Sequence, residues 1–397
     1  MSKIIMHIDL NAFFATAEVI RNPALANKPL VVGGTGRRGI VSTASYEARA
    51  FGIHSAMPTY MAERLCPNLI ILPSDFKLYS RLSREFFDFV RHYTSLIEIA
   101  SIDECYADMT ETLKNVKNPI EFLTNLQKDL YEKTKLKCSI GIGPTKFLAK
   151  MASDYQKPMG LTIFRRRDLA QTLWKLPIKS MYGVGKKTYP RLEKIGIHTI
   201  GDLATSESEE VKNLLGKFYF TLKEWVTGYG SDEVNPEPDD PKSIGNSRTL
   251  ASDTDDYDEI RSMIIYLCQE VSERAQAEKM LGSTIQIVLK NSDFSTINRS
   301  ITLEKPTNDL GIIYLEAMRL FDKNYQGQMI RLVGVTLANL VAVSEVTTQL
   351  SLFDSTITTV SKTEQIIQNF NKITEKPLLK RLSDIKVEAS EDKSDKI

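Results

Sequence analysis

The chain of 397 residues has little cysteine and no long hydrophobic run. No apolar stretch approaches the roughly 20 residues that cross a bilayer, and the first residues, MSKIIMHIDL, lack the charged start and cleavage site of a signal peptide. The four cysteines show no CxxC spacing, so neither a zinc site nor a disulfide framework is indicated. We therefore expect a cytoplasmic protein without a membrane partner, whose thiols are reduced and mostly buried.

A large excess of charge of one sign is also absent, because the net charge is +1. This balance argues weakly against a nucleic-acid partner, but the average conceals a gradient along the chain. Lys and Arg outnumber Asp and Glu by five over residues 1–165 and by four over residues 166–230. The acids outnumber the bases by three over residues 242–345.

An acidic, proline-rich segment separates these parts. Residues 231–241, SDEVNPEPDDP, contain five acids, no base and three prolines. Such a composition is typical of an extended linker. Together with the charge gradient it predicts boundaries near residues 165, 230, 242 and 345, in a chain long enough for two to four domains.

The first 165 residues alternate between strand and helix patterns. The run KIIMHI predicts a buried strand that stops at Asp9, and NAFFATAEVIR continues with helical spacing. Further along, SLIEIASIDECYADM predicts a strand pair or a bent strand, PIEFLTNLQKDLYEKT a helix, LKCSIGIG a strand and TKFLAKMAS a helix. This order predicts an α+β fold built on a ferredoxin-like sheet with helices on one face.

Three carboxylates are expected at one edge of this sheet. The strand that ends at Asp9 can lie beside the segment that holds Asp103 and Glu104. Carboxylates without an opposing histidine or cysteine form a hard-oxygen site suited to Mg²⁺, and two ions about 4 Å apart can activate a nucleophilic oxygen and stabilise the leaving one. The alternative is that Asp9 caps the following helix and that the other two acids are solvated edge residues.

The segment STASYEAR offers groups for a phosphorylated ligand. On a helix that starts near Ser42 or Thr43, Tyr46 and Arg49 lie three apart on one face. Arg binds phosphate through a fork of donors, and a helix start adds free amides. This set suits a triphosphate, with Lys157 as a further cation from a loop. The alternative is that each is an ordinary surface residue.

Five motifs together resemble a known family. In chain order they are HIDLNAFFA, GIVSTASYEARAFGIHSAMP, SIDECYADM, CSIGIGPTKFLAKMASDYQKPMG and YGVGKKTYPRLEKIGIHTIGDLA. Their order and spacing resemble those of the Y-family translesion DNA polymerases, in particular the bacterial DNA polymerase IV branch. The resemblance runs from residue 3 to about residue 240, and beyond that it thins to a pattern of strands and helices.

The resemblance implies a right-hand polymerase fold with a ferredoxin-like palm, small fingers, a helical thumb and an α/β little finger. The expected divisions are a palm at 1–18 and 75–165, fingers at 19–74, a thumb at 166–230, a linker at 231–243, a little finger at 244–345 and a tail at 346–397.

The resemblance also implies roles for the residues of the first unit. Asp9, Asp103 and Glu104 would hold two Mg²⁺ ions, with the backbone carbonyl of Leu10 as a further ligand. The residues implied to hold the triphosphate of the incoming dNTP are Thr43, Tyr46, Arg49 and Lys157.

Aromatic and small side chains of this unit match the family's substrate-selecting positions. Phe14 would be the steric gate, a flat ring under the sugar that excludes a 2′-OH by shape. Phe13 is the competing candidate and is expected to pack inward. Ser42 and Ala56 match positions that roof the new base pair, where small side chains would leave space for damaged bases.

The parts that follow are expected to hold DNA. The segment YGVGKKT, followed by LEKIGIHTIGDLA, is typical of a helix-hairpin-helix. This motif would bind the DNA backbone through the amides at Gly183 and Gly185 and the charges of Lys186 and Lys187. The alternative is a plain connection between two helices. The family's little-finger sheet lies against template and primer. The acidic balance here is a departure, and the residues that would make the sheet face basic are Arg248, Lys290, Arg299 and Arg331.

Residues 346–354, VTTQLSLFD, resemble the motif that binds the bacterial sliding clamp (β subunit). Its anchors would be Gln349, Leu350, Leu352 and Phe353. The alternative is that the three apolar anchors pack on the little finger as a closing strand.

These expectations combine into an error-prone, template-directed DNA polymerase that adds dNTPs to a primer 3′-OH and bypasses damaged template sites. Its partners would be primer-template DNA, dNTPs and the clamp, and the chain would act as a monomer. A nucleotidyl cyclase, which also places carboxylates on a ferredoxin-like palm, and a non-catalytic DNA-damage scaffold are the alternatives.

Overall fold

The computed structural model of the chain describes residues 3–237 and 240–345. The chain divides into two compact units, Met1–Asp239 and Asp240–Ile397. Within the described residues, no helix has both the length and the apolar character needed to span a membrane.

The first unit alternates strands and helices and then becomes helical. Its elements up to residue 163 are β1 (Ile5–Leu10), α1 (Phe13–Arg21), β2 (Leu30–Gly33), β3 (Val41–Ala44), α2 (Tyr46–Arg49), α3 (Thr59–Leu65), β4 (Ile70–Leu72), α4 (Phe76–Arg91), β5 (Ile97–Ile99), β6 (Glu104–Asp108), α5 (Thr110–Leu113), α6 (Pro119–Thr134), β7 (Cys138–Gly143), α7 (Lys146–Tyr155) and β8 (Leu161–Ile163). The helices that follow are α8 (Tyr189–Lys194), α9 (Ile200–Thr205), α10 (Glu209–Leu215) and α11 (Phe218–Val226).

Five strands form the main sheet of this unit, in the order β5-β6-β1-β7-β8. Strand β1 lies between β6 and β7 and is antiparallel to both, and β8 joins as a parallel edge strand. The order β5-β6-β1-β7 is that of a ferredoxin-like sheet, so this prediction is confirmed. The central position of β1 gives Asp9 a neighbouring strand on each side.

Helices cover both faces of the five-stranded sheet, so the expectation of helices on one face is wrong. Met6 and Ile8 of β1 pack in the main core with side chains of α1, α4 and α6. Ile5, which points to the opposite face, packs with Ala149 of α7. The burial of almost every residue of β1 and β7 indicates such a second layer, since a sheet with one solvated face shows alternating exposure.

Helix α7 lies very close to the sheet because Gly141 of β7 has no side chain. A Cβ atom at Gly141 would lie 2.1 Å from the Ala149 carbonyl oxygen and 2.1 Å from the Ser153 amide nitrogen. Both of these are backbone atoms of the helix, so a side chain could be accommodated only by moving α7 away. The glycine therefore sets the height of α7 above β1 and β7.

A smaller sheet, with the order β3-β2-β4, carries the phosphate-binding candidates. Ser42 and Thr43 lie on β3, so the prediction of a helix that starts at these residues is wrong. Thr43 is β-branched and pairs with β2. Helix α2 begins at Tyr46 instead, because the Ser45 hydroxyl caps it by accepting a hydrogen bond from the Ala48 amide.

The described residues of the acidic segment after α11 contain no helix or strand, and the first of them are anchored to the five-stranded sheet. The Ser231 carbonyl accepts a hydrogen bond of 3.0 Å from the Lys146 amide, and the Asn235 amide donates one of 2.9 Å to Glu98. Between them Val234 is buried in a small cluster with Ile5. Residues 231–235 therefore lie along the side of the sheet that α7 covers.

The second unit repeats a β-α-β-β-α-β order. Its elements are β9 (Ser243–Thr254), α12 (Tyr257–Ala277), β10 (Met280–Asn291), β11 (Thr296–Thr307), α13 (Leu310–Asn324) and β12 (Ile330–Ala342). The alternation of the sequence predicts the same six elements, at residues 244–250, 258–276, 283–290, 296–303, 311–321 and 329–340, and the observed elements are longer by one to five residues.

The strands of this unit form an antiparallel sheet in the order β11-β10-β12-β9. One face, which includes Ile285, Ile287, Val333 and Val335, packs against α12 and α13 in a single core. The part of this unit that the structure describes contains no other α-helix, so no described α-helix covers the opposite face. We call this uncovered side the open face.

Candidate active site

Two of the predicted carboxylates are partners across neighbouring strands. Asp9 of β1 is in register with Glu104, the first residue of β6, so the two side chains project from the same face, the one that α7 covers. Asp103 lies in the bend before β6, and its carbonyl accepts a hydrogen bond of 2.9 Å from the Leu10 amide. The bend removes the alternation expected of strand neighbours, and Asp103 and Glu104 therefore lie at the same edge.

Two lysines from α7 and the turn after it surround these acids. Lys150 Nζ lies 2.6 Å from Glu104 Oε2 and 3.2 Å from Asp9 Oδ2. Lys157 Nζ lies 2.8 Å from Asp9 Oδ1 and 2.7 Å from Asp154 Oδ1. Sequence reasoning identified Lys157 but missed Lys150, because nothing in the helical pattern of TKFLAKMAS shows which strand the helix faces.

The adjacent acids have pKa values shifted in opposite directions. The His7 imidazole, with Nε2 3.4 Å from Glu104 Oε2, and the Lys150 ammonium hold the pKa of Glu104 far below its usual range. Burial raises the pKa of Asp103, and the negative charges of Asp9 and Glu104 raise it further. The surroundings thus favour the ionised form of Glu104 and make the ionised form of Asp103 less favourable than it is in water.

His7 is a second residue that sequence reasoning missed. It is fully buried in β1, its Nδ1 lies 2.8 Å from Ser153 Oγ, and its Nε2 has no hydrogen-bond partner within the described residues. One ligand atom each of His7, Asp9 and Glu104 lies within 4.8 Å of the others, a spacing that suits a metal ion, and Asp103 is outside this group. A histidine inside the apolar run KIIMHI was the available signal.

The triphosphate candidates of α2 form a compact pair. Arg49 Cζ lies 4.7 Å from the centre of the Tyr46 ring. The Tyr46 hydroxyl is buried and has no hydrogen-bond partner within the described residues. Burial raises the pKa of Tyr46, whereas the positive charges of Arg49 and Lys157 lower it. Thr43 lies on the adjacent strand β3.

The two phenylalanines that follow β1 occupy different environments. Phe13 is 2% exposed and belongs to the main core, as expected. Phe14 is half-buried, and its ring stacks on that of Tyr79, with centres 4.3 Å apart and planes inclined by 12°. The Tyr79 hydroxyl donates a hydrogen bond of 2.7 Å to the buried Glu18, so the surface on which Phe14 rests is fixed.

The predicted roof residues come together although they are far apart in sequence. Ser42 and Ala56 are both exposed. The Ala56 amide donates a hydrogen bond of 2.8 Å to the Val41 carbonyl, which brings Ala56 next to Ser42. Ala56 has a φ of +68°, and a small side chain adopts that conformation more readily than a branched one.

Family models match three parts of the chain. The model of the impB/mucB/samB family matches residues 8–154, the IMS family HHH motif matches residues 166–197, and the C-terminal domain of the impB/mucB/samB family matches residues 241–352. The first match contains the acid cluster, and the second contains the hairpin at residues 182–188 and the first part of the helix segment that follows it.

Relatives named DNA polymerase IV match nearly the whole chain. DNA polymerase IV of Bacillus velezensis is 42% identical over 94% of this chain and 90% of its own length. DNA polymerase IV 1 of Bacillus subtilis is 42% identical over 99% of this chain and 95% of its own length. The chain belongs to the DNA polymerase IV branch of the Y-family DNA polymerases.

Solved structures of Y-family polymerases have the same fold. A Y-family polymerase chimera of Dbh and Dpo4 superposes with a TM-score of 0.77 at 28% identity, over 85% of this chain and 99% of that one. An insertion ternary complex of Dbh DNA polymerase gives a TM-score of 0.61 at 26% identity, with the same coverage. The predicted family and right-hand polymerase fold are confirmed, and the cyclase and scaffold alternatives find no support.

The hairpin of the predicted DNA-binding motif presents free backbone donors. Gly183 has a φ of +91° and belongs to the hairpin at residues 182–188, which precedes α8. The amides of Gly183, Gly185, Lys186 and Lys187 donate no hydrogen bond within the described residues. Successive free amides of this kind form an anion-binding concavity.

Two of the arginines predicted for the little-finger face point to the wrong side. Arg248 donates a hydrogen bond of 3.2 Å to Glu270 of α12, and Arg299 donates one of 3.0 Å to Asn324 of α13. The expectation that these residues make the open face basic is therefore wrong. Arg331 lies 3.5 Å from Asp253 in an ion pair.

The strand register identifies the residues of the open face. Lys290 is the one charged residue among the described cross-strand partners on this side, and the others are hydroxyl, amide, glycine and apolar residues. They are Ser243, Gly245, Ser247, Thr249, Thr284, Gln286, Val288, Lys290, Thr296, Asn298, Ser300, Thr302, Leu332, Gly334, Thr336 and Ala338.

The predicted clamp-binding anchors, Gln349, Leu350, Leu352 and Phe353, lie outside the described residues.

Proposed function

We propose that this Y-family polymerase transfers nucleotides at a two-Mg²⁺ site held by Asp9, Asp103 and Glu104. The register pairing of Asp9 with Glu104 carries the proposal, because it puts two carboxylates at one point of the sheet. Asp103, whose backbone carbonyl accepts a hydrogen bond from the Leu10 amide, would add a third carboxylate to the site. A primer 3′-OH would attack the α-phosphate of a dNTP, and pyrophosphate would leave.

The donor set fits a hard divalent cation. The carboxylate oxygens and the Leu10 backbone carbonyl are ligands that Mg²⁺ prefers. When bound, two Mg²⁺ ions supply the positive charge that stabilises the attacking and leaving oxygens. The protein holds the carboxylates in place through the register of β1 and β6. The His7 imidazole, with Nε2 3.4 Å from Glu104 Oε2, contacts the Glu104 carboxylate as well.

The triphosphate would be held by residues that converge from two directions. Tyr46 and Arg49 approach from α2, and Lys157 approaches from the turn after α7. The buried, unpartnered hydroxyl of Tyr46 supports this assignment, since a phosphate oxygen would satisfy it. Thr43 would add a hydroxyl from β3.

Phe14 is proposed as the steric gate. Its ring is stacked on Tyr79, which blocks movement toward that ring, so a 2′-OH on the other side of Phe14 would clash. Replacement of Phe14 by Ala should admit ribonucleotides while dNTP use persists. If Phe13→Ala admits ribonucleotides and Phe14→Ala does not, the gate is misassigned.

The grip on DNA would combine two kinds of contact. The free amides at Gly183 and Gly185, with Lys186 and Lys187, would bind backbone phosphates without reading sequence. The open face would contact DNA through hydroxyls, amides and Lys290, and Arg331 would contribute beside it. Small roof residues at Ser42 and Ala56 would accept damaged bases, at the cost of fidelity.

The divisions of the hand and the clamp contact are also proposals. The palm, fingers, thumb, linker, little finger and tail would follow the ranges that the resemblance implies. A polymerase with a weak grip would gain from a tether to the sliding clamp, which raises its effective concentration at the primer end. Leu352→Ala with Phe353→Ala should leave clamp-free extension intact and abolish stimulation by a loaded clamp, and equal stimulation would contradict the assignment.

Primer extension on undamaged and damaged templates tests the central proposal. We expect short, error-prone synthesis on both templates by the monomeric protein. Cyclic product from an NTP without primer would instead identify a cyclase, and DNA binding without extension would identify a scaffold.

A further inference from the structure

An ammonium group lies between the two carboxylates that face each other across the strands. Lys150 Nζ is 2.6 Å from Glu104 Oε2 and 3.2 Å from Asp9 Oδ2. The Lys150 side chain is 12% exposed and that of Asp9 is 13% exposed, so water screens this contact only slightly. The Lys150 charge is therefore shared between two carboxylates that would otherwise repel each other, and Lys157 adds a second ammonium 2.8 Å from Asp9 Oδ1 alone.

A divalent cation that bridged Asp9 and Glu104 would need the same space. Metal-to-oxygen distances for Mg²⁺ are about 2.0–2.1 Å, whereas Lys150 already lies within hydrogen-bond distance of one oxygen on each carboxylate. Two cations at such close range in a poorly screened site would repel each other strongly. The metal and the Lys150 ammonium therefore exclude each other between these oxygens.

The structure also contains a place to which the ammonium can move. Asp154 lies one helical turn after Lys150 on α7, with Oδ2 already 3.5 Å from Lys150 Nζ. The Asp154 side chain is 41% exposed and belongs to neither of the two facing strands. A change in the rotamer of the Lys150 side chain, without movement of α7, would replace Asp9 and Glu104 by Asp154 as the ion-pair partner of Lys150.

We propose that Lys150 is the counter-ion of the metal-free active site, and that a divalent cation binds Asp9 and Glu104 in exchange for it as the ammonium moves to Asp154. The inference rests on the proposed metal site. It assigns Lys150 to metal loading, and it does not place Lys150 among the groups that touch the reacting atoms. Metal binding to the free protein is then weak, because it must displace a buried ion pair.

Titration of the free protein with Mn²⁺ by calorimetry, without DNA or dNTP, tests this exchange. Lys150→Gln removes the competitor and should tighten Mn²⁺ binding about tenfold. Asp154→Asn removes the alternative partner and should weaken it severalfold. Lys146→Gln is the matched control, because Lys146 is on the same helix but pairs with Glu98, and it should leave the affinity unchanged.

Thermal unfolding gives a second measurement that does not depend on catalysis. In EDTA, Lys150→Gln should unfold at a lower temperature than the parent protein, because Asp9 and Glu104 lose their shared counter-ion. Addition of Mg²⁺ should raise the Tm of the variant by more than it raises that of the parent.

The exchange is overturned if Lys150→Gln remains folded in EDTA by circular dichroism and binds Mn²⁺ with unchanged or weaker affinity. Failure of the metal site itself has a different outcome. If the Asp9→Asn and Glu104→Gln variants both bind Mn²⁺ as tightly as the parent protein does, these residues do not hold the metal. The proposed function is then overturned together with the inference.

Discussion

The five-stranded sheet of the first unit and the four-stranded sheet of the second are built from the same β-α-β-β-α-β order, yet their surfaces are opposites. The first sheet collects acids and lysines at one point beneath α7. The open face of the second carries Lys290 as the single charge among its described cross-strand partners. The same architecture thus provides either a concentrated charge cluster suited to chemistry or a nearly neutral surface suited to contact without sequence reading.

Strand order explains part of this difference. In the first sheet, the first strand, β1, is central, so Asp9 is flanked by β6 and β7 and covered by α7. In the second sheet, the first strand, β9, is at an edge and helices cover one face. A central strand with cover on both sides can bury charges among several elements, whereas an uncovered face keeps its side chains in water.

The largest expected effect is at the acid cluster. Asp103→Ala or Glu104→Ala should reduce primer extension by several orders of magnitude, because the cations would be left badly placed. DNA binding and folding should persist, and gel shift and circular dichroism measure both. Glu132→Gln, an exposed acid on α6, is the control. Near-normal primer extension by either alanine variant would show that the acid cluster is not part of the mechanism. The first sheet would then no longer differ from the second in carrying the catalytic charges.

Glycine substitutions should separate the crowded sheet from the open one. Gly141→Ala forces a Cβ to 2.1 Å from backbone atoms of α7 and should cost at least about 1–3 kcal/mol of unfolding free energy, with loss of activity as Lys150 and Lys157 shift. Gly334→Ala on the open face meets the side chains of Ser247 and Val288, at 3.1 and 3.3 Å, and the Asn246 carbonyl oxygen at an ordinary contact distance of 3.5 Å. It should cost much less in chemical denaturation, and equal losses would contradict the comparison.

The two adjacent acids should affect stability with opposite signs. Because folding raises the pKa of Asp103, its ionised form destabilises the metal-free fold above that pKa, and the effect fades as the pH falls toward the usual value of 3.8. Because folding lowers the pKa of Glu104, this residue stabilises the fold above the usual value of 4.5, and the contribution is lost at lower pH.

In EDTA at neutral pH, Asp103→Asn should therefore raise the Tm by about 2–4 °C, and Glu104→Gln should lower it by a similar amount. Thermal scans from neutral to acid pH measure both effects. A Tm shift of the same sign in both variants would show that the surroundings of Asp103 and Glu104 do not shift their pKa values in opposite directions.

The smallest effect is expected on the open face. Lys290→Ala should weaken DNA binding slightly and reduce the slope of log affinity against log salt by about one, if Lys290 contacts a phosphate. Arg248→Ala should leave the slope unchanged, because Arg248 pairs with Glu270 on the helix side. Fluorescence anisotropy over a salt series measures both, and a steeper loss for Arg248→Ala would place that arginine at the DNA.

Much of the fold and site was predictable from local patterns. The helix at Pro119–Thr134 and the elements of the second unit follow from periodicity, and the acids stand out because they are charged at a strand end. Sequence also contained two signals that were missed. Arg248 alternates in phase with the buried Ile244 and Leu250, and Arg299 alternates in phase with Ile297 and Ile301, so both arginines belong to the covered face.

The sequence by itself determined the family, the secondary structure and the candidate acids, because these depend on local periodicity and on motifs within a few residues of each other. Tertiary structure decided what meets those acids. Lys150 lies beside Glu104 because α7 packs over β1, which Gly141 permits from β7, and His7 lies there because β1 pairs with β6. Periodicity tells which face of its own element a side chain occupies, but only long-range packing determines which other element covers that face.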